Sequence, residues 1–230
     1  MPYNRILLAL LAASVLCSAQ PPQPAAPHEM SHGDHMQHRF DNPEQYAKAF
    51  DDPARDAWQM PDKVIEALHL KPGQVVADLG AGTGYFTVRL ARSQAMPKVY
   101  GVDIEPSMVN YIRERLDKDG LKNVVAVQAS EDDAHLPERV DMVLIVDTYH
   151  HIGSREAYFR RLGRSLRPGG RVAIIDFKKG APDGPPEEFR FPPEKVKAEM
   201  AKAGYTLDQQ LDFLPRQQFL IFRLAGGESR

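Results

Sequence analysis

The stretch VVADLGAGTGYFTVRL, Val75–Leu90, decides the fold, because an apolar run typical of a β-strand enters a glycine-rich turn and continues as a predicted helix. Glycine permits a positive φ and lacks the Cβ that would block a ligand, and a helix N-terminus presents unpaired N–H groups. A dinucleotide site would have the spacing G-x-G-x-x-G, but the third glycine, Gly84, comes one position early, and the G-K-S/T of a phosphate loop is absent. The stretch therefore predicts a nucleotide-type site of another kind.

Predicted strands and helices alternate along the chain after this turn. Such alternation favours a parallel sheet with helices on both faces, in which ligands bind at the carboxyl ends of the strands. Those ends carry the glycine turn, Asp103, the acidic cluster 131–133 and residues 149–151. Two further strands are predicted over 205–214 and 217–224. The alternating segments are strands 75–79, 98–103, 123–129, 140–147 and 171–176, and helices 83–93, 107–119 and 155–166.

In the order of its motifs the chain resembles the class I S-adenosylmethionine-dependent methyltransferases that have a small-molecule methyltransferase domain. The D-x-G-x-G-x-G pattern of Asp78–Gly84 is similar to their first motif, and the similarity covers residues 62–224. It implies an α/β, Rossmann-like fold with a seven-stranded, mostly parallel sheet, a C-terminal antiparallel hairpin and helices on both faces. It also implies S-adenosyl-L-methionine as cofactor and a small-molecule methyl acceptor, whose identity the sequence leaves open.

The resemblance further implies which residues bind the cofactor. Asp78 would orient the glycine turn and, directly or through water, the methionine ammonium, while Asp103 would hold the ribose hydroxyls. Asp132 is the choice for the adenine amino group, but counting from the preceding strand favours Ser130 or Glu131 instead. The predicted set is Asp78, Gly80, Ala81, Gly82, Gly84, Asp103, Ile104, Asp132 and Asp147.

Groups that act on the acceptor are expected after the fourth strand, where His150 and His151 stand. A neutral histidine accepts a proton near pH 7, so either one is a candidate general base, with Tyr149 or Asp147 orienting it. The alternative is a structural pair that caps the next helix, since many methyltransferases need no base.

Two other segments are expected near the acceptor. Trp58 lies between two predicted leading helices, where it either forms a wall of the substrate pocket or packs a helix onto the sheet. The connection 178–193 is rich in proline, glycine and charge, and long connections inside a domain are often binding loops or lids. The resemblance places it over the acceptor side.

Residues 1–19 have the pattern of a secretory signal peptide, with a basic start, the apolar run Ile6–Leu16 and a small residue at Ala19. The run is shorter than the roughly 20 residues that span a bilayer. We therefore predict export, to the periplasm or outside the cell, with no stable membrane span after cleavage, and a cytoplasmic location only if the leader is not functional. A lipoprotein signal at Cys17 is the weaker alternative, because Leu16 stands where such signals have a small residue.

Behind the leader, residues 20–40 are predicted to form a disordered linker rich in proline and histidine. Residues 41–230 are predicted to form the methyltransferase domain, with leading helices over 42–70 and a core over 71–224. No metal site is predicted, although four linker histidines are a weak possibility that a solvated linker explains as well. These are His28, His32, His35 and His38.

The charge and the cysteine content exclude further classes of function. The net charge is −2 and the basic residues are scattered, so there is no nucleic-acid footprint. Cys17 is the only cysteine and would leave with the leader, which excludes thiol-ligated chemistry, including that of the cysteine-dependent arsenic methyltransferases of the same superfamily. The sequence thus predicts an exported methyltransferase. The rival is an exported, non-catalytic binding protein that keeps the fold and the nucleotide pocket.

Overall fold

A computed structural model describes residues 42–226 of the chain. The strands are β1 Val75–Leu79, β2 Lys98–Asp103, β3 Val124–Gln128, β4 Val140–Val146, β5 Leu166–Phe177, β6 Tyr205–Leu211 and β7 Gln217–Leu224. The α-helices are α1 Pro43–Phe50, α2 Asp56–Gln59, α3 Pro61–Ala67, α4 Tyr85–Arg92, α5 Pro106–Asp119, α6 Arg155–Leu162 and α7 Pro193–Lys202. The predicted leader, the linker and its four histidines lie outside the described residues.

All seven strands form one sheet in the order β3-β2-β1-β4-β5-β7-β6. The first five strands in this order pair in parallel, whereas β7 pairs antiparallel with β5 and with β6. The predicted α/β fold, with a mostly parallel seven-stranded sheet and a C-terminal antiparallel hairpin, is confirmed. Among residues 42–226, no helix combines the length and the apolar character that crossing a bilayer requires.

The strand order indicates where in this fold a ligand would bind. The chain runs outward from β1 through β2 to β3 and then returns to add β4 on the other side of β1. The carboxyl ends of β1 and β4 therefore flank the switch point, where open α/β sheets form their ligand crevice. We refer to this side of the sheet as the carboxyl edge and to the opposite side as the amino edge.

Strand β1 is buried at every position, because helices cover both faces of the sheet. Val75, Ala77 and Leu79 pack in the core of one face, and Val76 packs in the core of the other. Asp78 is the polar exception, which makes it a candidate for a function other than packing.

Two predicted boundaries need correction at the start of β5. Helix α6 ends at Leu162 and a short 3₁₀ turn follows, while the strand begins at Leu166, five residues before the predicted start. Leu166 already pairs with Val140 of β4, and the residues up to Arg171 form a bulge in which Gly169 has a φ of 76°. The sequence P-G-G at 168–170 therefore lies inside the strand as that bulge, rather than before the strand.

Candidate active site

The glycine turn between β1 and α4 folds back onto β2. Gly80 N and Ala81 N both donate to the carbonyl oxygen of Val102, at 2.8 and 3.0 Å. Gly80, Gly82 and Gly84 have φ values of 75°, 55° and 85°, a region that L-residues with a side chain rarely adopt. The turn therefore requires glycine for its backbone shape.

The three glycines differ in what a Cβ at each position would meet within the protein. A Cβ on Gly80 would overlap the side chain of Thr148, which follows β4, and a Cβ on Gly82 would lie 3.4 Å from a ring carbon of Phe50 in α1. A Cβ on Gly84 would contact Ile112 at 3.6 Å. Only Gly80 must lack a side chain for packing, because Thr148 lies against it where the ends of β1 and β4 meet. The expected role of the glycines in leaving room for a ligand stays a prediction.

Asp103 ends β2 and lies against this turn. Its Oδ2 accepts a hydrogen bond from Gly82 N at 2.8 Å, and its Oδ1 accepts one from Glu105 N at 3.0 Å. The residue is 8% exposed, and this burial raises the pKa of its carboxyl group. Each carboxylate oxygen retains a lone pair for another donor. Ile104 beside it is 45% exposed and offers an apolar surface.

Asp78 lies beneath the turn. Thr87 of α4 donates its hydroxyl hydrogen to Asp78 Oδ2 at 2.6 Å, so the carboxylate joins β1 to the helix that follows the turn. Burial raises the pKa of Asp78 to about 6, and the hydrogen bond from Thr87 opposes this shift. These contacts are consistent with the expected role in orienting the turn, and a contact with the methionine ammonium stays a prediction.

The leading segment covers the glycine turn. Arg115 of α5 pairs with Asp51 at 2.9 Å, just after α1, and also donates to the carbonyl oxygen of Thr83 at 2.8 Å. Asp56 of α2 accepts hydrogen bonds from the Tyr85 hydroxyl and from Arg89 of α4. A ligand on the turn would therefore lie under a segment fixed by charged contacts.

On the acceptor side, His150 forms a buried pair with Asp176 near the end of β5. His150 Nδ1 lies 2.9 and 3.0 Å from the two carboxylate oxygens, and the backbone N–H of His150 donates to Oδ2 at 3.1 Å. Both side chains are 5% exposed. The His151 ring lies 4.2 Å from the His150 ring, centroid to centroid.

For His150, this pair corrects the expectation that Tyr149 or Asp147 orients the ring. Tyr149 is fully buried in the core and donates its hydroxyl hydrogen to Glu199 of α7 at 2.5 Å. Residues 149–151 form a 3₁₀ turn, in which successive side chains point in different directions, so Tyr149 enters the core while His150 faces β5. Sequence reasoning missed Asp176, although an acid near a strand's carboxyl end is the signal that identified Asp103.

Asp147 is the centre of a second polar cluster at the carboxyl edge. Its Oδ2 accepts from Gln59 Nε2 at 2.9 Å and its Oδ1 from Gln217 Nε2 at 2.5 Å, and Arg55 Nη2 lies 3.9 Å from Oδ2. Burial, and then the charge of Asp176, raises the pKa of Asp147 to about 6. Asp147 also has a φ of 52°, a strained value of the kind that occurs at functional sites.

Asp132, the predicted adenine ligand, lies at the surface. Arg161 of α6 binds its carboxylate, and Ser130 donates its hydroxyl hydrogen to Asp132 Oδ1 at 2.9 Å. The hydrogen bond from Arg161 is the main reason why the pKa of Asp132 is lowered. Glu131, an alternative for the same role, is exposed. An adenine contact from any of these residues stays a prediction.

Trp58 lies beside the acceptor side, with its ring 5.7 Å from that of Phe177, the residue after Asp176. The guanidinium of Arg216 lies 5.0 Å from the Trp58 ring. In the connection 178–193, Arg190 donates to the carbonyl oxygens of Ala181 and Pro185, both at 2.7 Å. This connection is therefore an ordered loop, and it begins where β5 leaves the carboxyl edge.

Comparison with known proteins agrees with this geometry. Residues 70–215 match a family model described as a methyltransferase domain, which spans the sheet from β1 to the turn before β7. The chain belongs to this methyltransferase family. A solved S-adenosylmethionine-dependent methyltransferase from Aquifex aeolicus is 29% identical, with a TM-score of 0.73, and the match covers 80% of this chain and 99% of that one.

Curated relatives of this methyltransferase domain match over shorter stretches. Methyltransferase GfsG of Streptomyces halstedii is 31% identical over 129 residues, which are 54% of this chain and 46% of the relative. The ubiquinone/menaquinone biosynthesis C-methyltransferase UbiE of Vibrio campbellii is 33% identical over 118 residues, which are 50% of this chain and 46% of the relative. The chain thus spans less than half the length of these two relatives.

Proposed function

We propose that this protein transfers a methyl group from S-adenosylmethionine to a small molecule that loses a proton in the reaction. The cofactor belongs to the family, while the acceptor and the roles of individual residues are our inference. The observation that carries the proposal is that the glycine turn with Asp103 and the buried pair of His150 and Asp176 lie at the same edge of the sheet, on the two sides of its switch point.

The residues at this edge fit the cofactor. Asp103 offers two carboxylate oxygens with free lone pairs, which suit two ribose hydroxyls, and the exposed Ile104 beside it suits the flat apolar face of a purine. Within the turn itself, the Thr83 hydroxyl oxygen is buried and has no hydrogen-bond partner among residues 42–226. Buried polar groups are nearly always bonded, so a polar ligand group at the turn would complete its bonding.

When bound, S-adenosylmethionine supplies a methyl group on a positively charged sulfur. The protein's task is then to align the acceptor with it, to exclude water and to remove the acceptor's proton. In this proposal Asp176 accepts the hydrogen of His150 Nδ1, since the backbone N–H groups of His150 and Phe177 already donate to the same carboxyl group. This fixes the tautomer and leaves Nε2 as the atom that takes the proton. Trp58 and the ordered loop after β5 would limit access of water from the acceptor side.

The test is transfer of label from methyl-labelled S-adenosylmethionine to a panel of hydroxyl, acidic-carbon, amine and thiol compounds. We expect product with a hydroxyl or an acidic carbon, since these acceptors need a base. Cofactor binding without transfer to any class would favour the non-catalytic binding protein. If only an amine is labelled, and the His150→Gln variant labels it at the same rate, the proposed role of His150 as general base is contradicted.

Export is a separate proposal, supported by the pattern of residues 1–19. Cell fractionation and N-terminal sequencing test it, and we expect a mature N-terminus at Gln20 outside the cytoplasm. Recovery of chains that begin with Met1 in the cytoplasm would contradict it, and would also remove the question of how a cofactor made in the cytosol reaches the enzyme.

A further inference from the structure

A concave site lies at the amino edge of the sheet, opposite the glycine turn. It is a cavity of about 340 Å³ whose lining includes four arginines, and we refer to it as the arginine pocket. Arg139 precedes β4, Arg164 lies in the 3₁₀ turn before β5, Arg167 lies near the start of β5, and Arg223 lies near the end of the antiparallel β7. All four positions are therefore at the amino edge, away from the proposed catalytic residues.

The four guanidinium groups differ in their partners. Arg167 is neutralised by Glu138 and Asp141, each at 2.9 Å, and Arg223 lies 3.7 Å from Asp208. Arg139 and Arg164 make no ion pair with any carboxylate within residues 42–226, and both are exposed. Two positive charges thus face one cavity without a protein counter-charge among the described residues.

The backbone that lines this cavity is open at one glycine. Gly169, inside the bulge of β5, has a φ of 76°, and a Cβ built on it would meet no atom within 4 Å. Leu166 and Leu224 line the same cavity and add an apolar wall. The cavity lining therefore combines positively charged and apolar residues.

We propose that the arginine pocket binds the phosphate group of a phosphate ester. Guanidinium groups bind phosphate oxygens through paired N–H donors, and two free ones match the two charges of a phosphate monoester. A cavity of this size holds the phosphate and a small organic group. The ester is either a free phosphorylated small molecule or the headgroup of a phospholipid, and both present the same chemistry. This site does not depend on the function proposed for the carboxyl edge.

The experiment uses the full chain, titrated calorimetrically with phenyl phosphate, and sedimentation with vesicles of phosphatidylcholine with and without phosphatidic acid. The double variant Arg139→Gln/Arg164→Gln removes the unpaired charges. The matched control, Arg113→Gln/Lys122→Gln, removes two exposed charges on and after α5. Exposed substitutions of this kind leave the core intact, and circular dichroism checks it.

We expect the parent to bind and the double variant to lose affinity roughly tenfold or more, as for the loss of charged hydrogen bonds, while the control binds like the parent. Binding of phenyl phosphate identifies a free ester as the source. Binding only to vesicles with phosphatidic acid, lost in the double variant, identifies a lipid headgroup. No binding of either probe by the parent, or an equal loss in the control, would overturn the proposal.

Discussion

The charged side chains at the two edges of the sheet differ in their burial and in their partners. At the carboxyl edge, Asp103 and Asp176 are buried and each accepts at least two hydrogen bonds from the protein. At the amino edge, Arg139 and Arg164 are exposed and make no ion pair among the described residues. Burial and hydrogen bonds hold a side chain in place and shift its pKa, which suits the proposed chemistry, whereas exposed charge is screened and suits weak, reversible binding. The contrast is therefore consistent with the two different functions that we propose for the two edges.

Among the variants that distinguish the two edges, we expect His150→Gln to have the largest effect, which is on turnover. If Nε2 of His150 takes the acceptor's proton, the variant lowers turnover by roughly 10²–10⁴-fold and leaves cofactor affinity unchanged. A pH–rate profile with any accepted substrate measures it. His69→Gln, on an exposed histidine far from this edge, is the matched control. An unchanged rate and unchanged acidic limb in His150→Gln would make the pair with Asp176 structural.

The second-largest expected effect is on the pH dependence of stability, because Asp147 is a partly buried carboxyl group whose pKa is raised to about 6. The folded protein binds this proton more tightly than the unfolded chain, so its contribution to stability is complete below about pH 4 and is lost as the pH rises to about 6. The loss is at most about 3 kcal/mol, since two pKa units correspond to that energy. Asp78, also at about 6, contributes in the same direction.

Denaturation between pH 4 and pH 7 tests this prediction. Asp147→Asn should flatten the fall in unfolding free energy, and Gln217 can rotate its amide to offer the Oε1 that now has no partner among the described residues. The exposed Asp212→Asn should leave the fall unchanged. A parallel pH dependence in parent and Asp147→Asn would show that Asp147 is not the group responsible.

The smallest expected effect is the difference in stability between alanine variants of two matched glycines. Gly80 and Gly169 have nearly the same φ, 75° and 76°, but a Cβ overlaps Thr148 only at Gly80. Alanine at Gly169 should cost about 1 kcal/mol of stability through φ alone, and alanine at Gly80 about 1–3 kcal/mol more through overpacking. Chemical denaturation of both variants measures the difference. Equal costs would mean that the ends of β1 and β4 are not tightly packed, and Thr148→Ala should relieve part of the cost at Gly80.

The sequence predicted the sheet well because the signals were local. Alternating apolar runs, the spacing of the glycines and the acid at the end of β2 depend on short segments, and the structure has these elements in the expected order. Asn42 caps α1 by accepting from Gln45 N at 3.3 Å, and Asn before Pro is itself a local signal for the start of a helix. The contact of Gly80 with Thr148 could not be predicted in this way, because it depends on the strand order.

The remaining parts of the site could not be predicted from local patterns. Gln217 reaches Asp147 only because β7 pairs antiparallel with β5, with Gln217 opposite Phe177. Gln59 and Arg55 reach the same carboxylate only because the leading segment folds over the carboxyl edge. Asp176 is different, since an acid near the end of a strand is a signal that the sequence does contain.

The most direct test of the account is calorimetric titration of the full chain with S-adenosylmethionine. The account predicts saturable binding by the parent, binding about 5–150-fold weaker in Asp103→Ala, which is 1–3 kcal/mol for buried groups left unpaired, and parental affinity in Arg139→Gln/Arg164→Gln. Asp103→Asn, which keeps an acceptor for Gly82 N–H, should also bind more weakly and shows that the loss is not a collapsed turn. No binding by the parent, or equal affinity in a folded Asp103→Ala, would contradict the assignment of the carboxyl edge as the cofactor site.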